Sequence, residues 1–186
     1  NAALAVAIVD GLIDAGYPIT QKSVEIGLAG ARLPGRWEIV SDSPRIVLDG
    51  AHNTDKATAL AAVLRAQNRR PLTLVVGMLG YKAVRGVVEV LAPLADLVVA
   101  TEPAVYMKAA LPARELAEII QSIGVEVSVS PDPLEALDVA VNSSGCDGLV
   151  CVTGSLYLVG QARERWYPQS AITLQRTPYP TVSVIQ

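Results

Sequence analysis

The spacing of apolar residues changes character near Trp37. Before it, residues 2–15 form an alanine-rich apolar stretch that predicts a helix ending near Gly16. Tyr17-Pro18-Ile19-Thr20 predicts a turn. Thr20 is then the cap of a second helix over 21–29, with Val24, Ile26 and Leu28 as its buried candidates. Residues 31–36 break the period and predict a linker. Two short helices bury too little surface to stand alone. Residues 1–30 are therefore expected to belong to a neighbouring domain or to pack on the one that follows.

From Trp37 the pattern alternates. Short β-rich runs predict strands at 37–40, 45–48, 72–76, 97–100, 125–129 and 149–152, and helical periods predict helices near 55–67, 83–92, 112–123, 133–143 and 155–166. Ala57, Leu60, Ala61 and Leu64 follow one helical face, as do Leu116, Ile119, Ile120 and Ile123. Strands that are apolar throughout and alternate with helices indicate an α/β fold, a mostly parallel sheet with helices on both faces. Residues 168–186 hold three prolines and no helical period, and are expected to be an extended or partly disordered tail.

Composition narrows the classes. Of 186 residues, 51% are hydrophobic and 18% charged, which suits one packed domain rather than a disordered chain. The net charge of -3, with no lysine- or arginine-rich run, argues against general nucleic-acid and anionic-membrane binding. No apolar stretch approaches the roughly 18–20 residues of a spanning helix. Cys146 and Cys151 are too few for a disulfide scaffold, match no zinc spacing, and read as small core or loop residues. A reducing, cytoplasmic setting is the expectation.

Ligands in open α/β sheets sit at the carboxyl ends of the strands. Three strand-end loops carry candidate chemistry. In Asp49-Gly50-Ala51-His52-Asn53-Thr54, Asp49 can accept from ribose hydroxyls, and His52 and Asn53 stand where a helix N-terminus favours anions. Equally, Asp49 can order the turn while Asn53 or Thr54 caps the helix. In Thr153-Gly154-Ser155 the serine can meet an anion or cap a helix. In Gly77-Met78-Leu79-Gly80-Tyr81-Lys82 the lysine can hold a carboxylate or phosphate, or be solvated. Neither a GxxxxGK[ST] phosphate loop nor a GxGxxG fingerprint is present. Glu102 reads as a solvated loop acid, and Trp37 and Trp166 as packing residues. Together the three loops support an anionic-ligand site.

Leu33-Pro34-Gly35-Arg36, then the Asp49–Asn53 DGAHN stretch, then Thr153-Gly154-Ser155-Leu156-Tyr157-Leu158 resemble folylpolyglutamate synthetase/dihydrofolate synthetase, of the Mur ligase superfamily of ATP-dependent acid–amino-acid ligases. The resemblance spans nearly all of 1–166. It implies the last helices of a central ATPase domain at 1–30, a linker at 31–36, and a Rossmann-like Mur ligase C-terminal domain at 37–167. The chain is then a portion of a longer ligase, inactive alone, with the ATPase domain as its partner in cis.

The resemblance also implies roles. Asn1, Arg36 and Asp49 would bind ATP at adenine, phosphates and ribose. His52 would be catalytic, near the transferring phosphate and the incoming glutamate. Lys82 and Ser155 would join His52 at the glutamate. The substrates would be ATP, L-glutamate and dihydropteroate or folate. Mg2+ would be held outside this chain, by a monomeric enzyme. Tyr81 and Ala83 replace the acids that commonly flank the family's lysine, and Thr54 replaces a frequent proline. Another Mur-type ligase, or a stand-alone nucleotide- or anion-binding module, are the alternatives.

Overall fold

A computed structural model describes residues 2–80 and 84–181. The chain divides into two compact units, with the boundary after Leu33.

The first unit holds helices α1 (Ala2–Asp14) and α2 (Gln21–Gly30). Gly16, at φ +90°, makes the turn between them, and the Thr20 hydroxyl caps α2 by accepting from the Ser23 amide at 3.2 Å. Neither helix has a buried residue. This corrects the expectation of a buried face on α2: Ile26 and Leu28 are exposed and Val24 only half-buried. Two helices of this length enclose no interior, so their apolar positions stay at the surface.

In the second unit, the described residues form a six-stranded sheet of order β1-β2-β6-β3-β4-β5. Its strands are β1 (Glu38–Asp42), β2 (Arg45–Leu48), β3 (Leu72–Val76), β4 (Leu97–Ala100), β5 (Val127–Val129) and β6 (Leu149–Thr153). β1 pairs antiparallel with β2, and every other pairing is parallel. The α/β, mostly parallel sheet is thus present. Trp37 falls outside β1 because its φ is +45°, a left-handed value that a strand does not accommodate.

The helices are α3 (Thr54–Arg65), α4 (Val84–Leu91), α5 (Ala113–Gln121), α6 (Pro133–Ser144) and α7 (Leu156–Arg163). Alternation along the strands assigns them to two faces. Val47, Leu74, Val76 and Cys151 pack with α3, α4 and α5; Ile46, Leu48, Val75, Val150 and Val152 pack with α6 and α7. Trp37 packs on the first layer and Trp166 on the second. The sheet is buried on both sides by aliphatic side chains, which explains why its parallel strands read as unbroken apolar runs.

The tail differs from its expectation. Gln169–Gln175 forms a further helix, α8, with no buried residue. With no buried face it leaves no apolar period to read. It starts where Glu164 Oε2 accepts from the Gln169 amide, 3.0 Å, and beyond it the Gln175 side chain bonds both backbone groups of Thr181.

The cysteines fall in opposite environments: Cys146 is exposed and Cys151 buried in β6. Burial, with a smaller contribution from the Asp49 carboxylate, pushes the Cys151 thiol far above the ordinary thiol range. Only a thiolate reacts quickly. A colorimetric thiol titration of the native chain should therefore find Cys146 alone, and both cysteines after unfolding. Rapid native labelling of Cys151 would contradict this packing.

Candidate functional site

Strands β2, β6 and β3 are neighbours, so the loops at their carboxyl ends lie side by side. The helices after β2 and β6, α3 and α7, cover opposite faces of the sheet. Between two such strands a crevice opens, and ligands of open α/β sheets collect there. Backbone bonds tie the three loops together. The Ala51 carbonyl accepts from the Gly154 amide at 3.0 Å, and the Thr153 carbonyl from the Gly77 amide at 3.3 Å. A cavity of about 190 Å³ opens beside them, lined by His52, Met78, Leu79, Gly154, Ser155, Leu156 and Tyr157.

Asp49, at the end of β2, is half-buried. Its Oδ2 accepts from the Trp37 amide at 2.9 Å and its Oδ1 from the Ala51 amide at 3.0 Å. It therefore orders the loop and holds the left-handed residue that precedes β1. Each carboxylate oxygen keeps a second lone pair, so this structural work leaves acceptor capacity for a hydroxyl. Asn53 caps α3 by accepting from the Lys56 amide at 3.0 Å. Arg36 is exposed, with Nη1 donating to the Gly35 carbonyl at 3.2 Å. Its guanidinium lies over Gly50, where a Cβ would come within 3.0 Å of Nη1 and overlap Leu156. Glycine at position 50 lets arginine and loop approach each other.

His52 stands at the cavity rim. Its Nδ1 lies 2.8 Å from the Gly50 carbonyl oxygen and its Nε2 lies 3.2 Å from Lys56 Nζ. Ser155 is buried and caps α7, its hydroxyl accepting from the Tyr157 amide at 3.1 Å. It also lines the cavity, so the cap and the cavity wall are one residue. Asn1 and Lys82 lie outside the described residues, as do Tyr81 and Ala83. The structure thus brings Asp49, His52 and Ser155 to one crevice, with Arg36 beside Gly50.

Glu102 is not a solvated acid. It is half-buried, and its Oε1 accepts from the Ala113 amide at 2.8 Å at the start of α5. It supplies the acceptor that Pro112, at the cap position, has no side-chain group to offer. Two lysines at the rim went unnoticed in the sequence. Lys56 follows His52 by four residues, a spacing that brings side chains together across a helix start. Lys108 reaches Tyr157 from the loop after β4, 3.3 Å from the phenol oxygen, and no local spacing announces it. Among the described residues no three His, Cys, Asp or Glu side chains cluster as metal ligands, and no helix is long and apolar enough to cross a membrane.

Comparison with known proteins gives this arrangement a family. Residues 35–156 match the family described as Mur ligase, glutamate ligase domain. A folylpolyglutamate synthase of Lacticaseibacillus casei is 31% identical over 152 residues, 80% of this chain and 33% of that protein. Among solved structures, Escherichia coli FolC in complex with DHPP and ADP superposes with a TM-score of 0.77 at 28% identity, covering 95% of this chain and 39% of that one. The bifunctional folylpolyglutamate synthase/dihydrofolate synthase of Yersinia pestis, with Mn, AMPPNP and L-glutamate bound, gives 0.71 at 28% identity, over 83% of this chain and 36% of that one. The chain spans between a third and two fifths of the length of these relatives. With a six-stranded, mostly parallel sheet and the family's match running from Gly35 through the start of α7, the chain belongs to the Mur ligase family through its glutamate ligase domain.

Proposed function

We propose that the chain is the C-terminal part of an ATP-dependent carboxylate–amine ligase that adds L-glutamate to dihydropteroate or to the glutamate tail of a folate. The observation that carries this reading is the convergence of Asp49, His52 and Ser155 on one crevice in a chain of this family. The relatives support it by name, and the Yersinia pestis structure holds a nucleotide analogue and L-glutamate together.

In the proposed reaction ATP phosphorylates the acceptor carboxylate and releases ADP. The glutamate amine attacks the acyl phosphate, the tetrahedral adduct collapses, and phosphate leaves as the amide forms. No protein nucleophile is required; the protein positions reactants and neutralises charge. In this reading Asp49 holds the ribose, and Arg36 and His52 face phosphate oxygens. Ser155 and Lys82 join His52 at the incoming glutamate, and Asn1 meets the adenine. The described residues offer no metal set. The divalent ion, Mg2+ in this proposal, would be held by the ATPase domain to which residues 1–30 belong. The exposed apolar residues Leu4, Ile8, Tyr17 and Ile26 suit helices that pack on such a domain. The intact enzyme is proposed to act as a monomer.

The test is ATP-dependent phosphate release by the intact ligase, with L-glutamate and either dihydropteroate or a reduced folate. Release should require glutamate and one of the acceptors. Asp49→Ala should lower kcat/KM by about 10²-fold, the scale of a lost charge-positioning contact, and His52→Ala by about tenfold or more, the scale of a lost charge-assisted hydrogen bond. A folded, ATP-binding protein that releases no phosphate with either acceptor would move the assignment to a Mur-type ligase of another acid. The replacement of the acids flanking Lys82 by Tyr81 and Ala83 makes that the second reading.

A further inference from the structure

The ligase reading brings anionic oxygens to the cavity rim and leaves His52 to meet them. The hydrogen bonds around His52 point to a different division of work. A carbonyl only accepts, so the 2.8 Å contact with the Gly50 oxygen places the imidazole proton on Nδ1. An ammonium only donates, so the 3.2 Å contact with Lys56 Nζ makes Nε2 an unprotonated acceptor. In that arrangement Nε2 has no proton to give an anion.

Lys56 does. Its ammonium has three N–H donors, and the ring takes one. Among the described residues no carboxylate pairs with it. It is exposed, and it sits in the first turn of α3, where the helix dipole disfavours a cation. Its ammonium lies 3.2 Å from the histidine that lines the cavity.

We infer that Lys56 is the group that donates to the anionic oxygen at this rim, and that His52 is the positioning residue that aims it. The Gly50 carbonyl fixes the ring, the ring's Nε2 holds one N–H of Lys56, and two donors remain for the ligand. The oxygen is that of a carboxylate or of a phosphate. Only this identity rests on the ligase reading; the pairing of Lys56 with His52 does not.

His52 is the only histidine of the chain, so ¹⁵N NMR of the labelled 186-residue protein reports a single imidazole. At neutral pH it should show Nδ1 protonated and Nε2 unprotonated. Titration with inorganic phosphate should move the ring resonances in the wild type and in Lys56→Arg, and leave them still in Lys56→Met. In the intact ligase, Lys56→Met should raise a KM about tenfold or more with kcat little changed, the scale of one lost charge-assisted hydrogen bond. Lys56→Arg should restore most of it. A rise for glutamate identifies a carboxylate, and a rise for ATP a phosphate. An Nε2–H tautomer, or phosphate response and KM values indifferent to Lys56→Met, would overturn the inference. Absence of glutamate ligase activity would remove only the proposed function, because the phosphate titration still decides the role of Lys56.

Discussion

Replacing Arg163 with methionine is expected to lower the stability of the chain by about 3–5 kcal/mol, the usual cost of stranding one member of a buried ion pair. Arg163 and Glu38 are 8% and 5% exposed in their side chains. Arg163 Nε donates to both carboxylate oxygens, at 2.9 and 3.0 Å, and Glu38 Oε2 also accepts from the Gly35 amide at 2.8 Å. One carboxylate thus joins the entry to β1 with the end of α7. The guanidinium does more. It stacks 4.3 Å from the Tyr167 ring centroid and 5.2 Å from that of Tyr179, and its Nη2 donates to the Pro178 carbonyl. Without Arg163 the Glu38 charge loses its ion-pair partner, and the segment around Pro178 loses one of its anchors.

Urea denaturation separates these contributions. Glu38→Leu with Arg163→Met should cost less than the sum of the single changes, because the double variant buries no lone charge. It should not reach wild-type stability, since the Gly35 amide and the Pro178 carbonyl still lose partners. Limited proteolysis near Arg176 should accelerate in both variants that lack Arg163. A single-variant loss below about 1 kcal/mol would place the pair among ordinary surface bridges.

The same ion pair marks what the sequence shows and what it hides. Strands β2, β3, β4 and β6 are legible from RIVL, LTLVV, LVVA and LVCV because both faces of a parallel sheet are buried, so no charged residue falls in their interior positions. Helices α3 and α5 are legible from one buried stripe each. The strand-end rule then selects the loops that meet in the crevice, since it follows from topology alone. Contacts across long separations leave no local trace. Glu38 and Arg163 are 125 residues apart, and Lys108 and Tyr157 are 49 apart. Trp37 is hidden for another reason. Its φ of +45° runs against the preference of a bulky residue, and the acceptor supplied by Asp49, with the packing of its ring on the core, explains its place. In α8 the sequence pattern fails because burial, which it reports, is missing; in the first unit it finds both helices and the Thr20 cap, and misses only that no face is buried.

Gly154→Ala is the second substitution expected to do large damage, and it strikes the site as well as the fold. Gly154 has φ +100°, a conformation that side chains rarely adopt. A Cβ there would stand 2.7 Å from the Gly77 carbonyl oxygen and 3.1 Å from Met78 Cγ. The backbone strain costs about 1–3 kcal/mol, and forcing the loop after β3 outward adds about 1–3 kcal/mol more. For a chain of this size that is a fall in Tm on the order of 10 °C. Met78, one of the two residues displaced, belongs to the cavity wall, and the neighbouring Ser155 caps α7. Under the function proposed above, nucleotide or glutamate affinity should therefore drop even below the new Tm. Gly160→Ala is the matched control. It lies within α7 with no heavy atom within 4 Å of its Cβ position, and alanine there should stabilise by up to about 1 kcal/mol. Calorimetry of the two variants should show shifts of opposite sign. Equal, small shifts would mean that the turn between β6 and α7 can relax without disturbing Gly77, and that the three loops are not locked to one another.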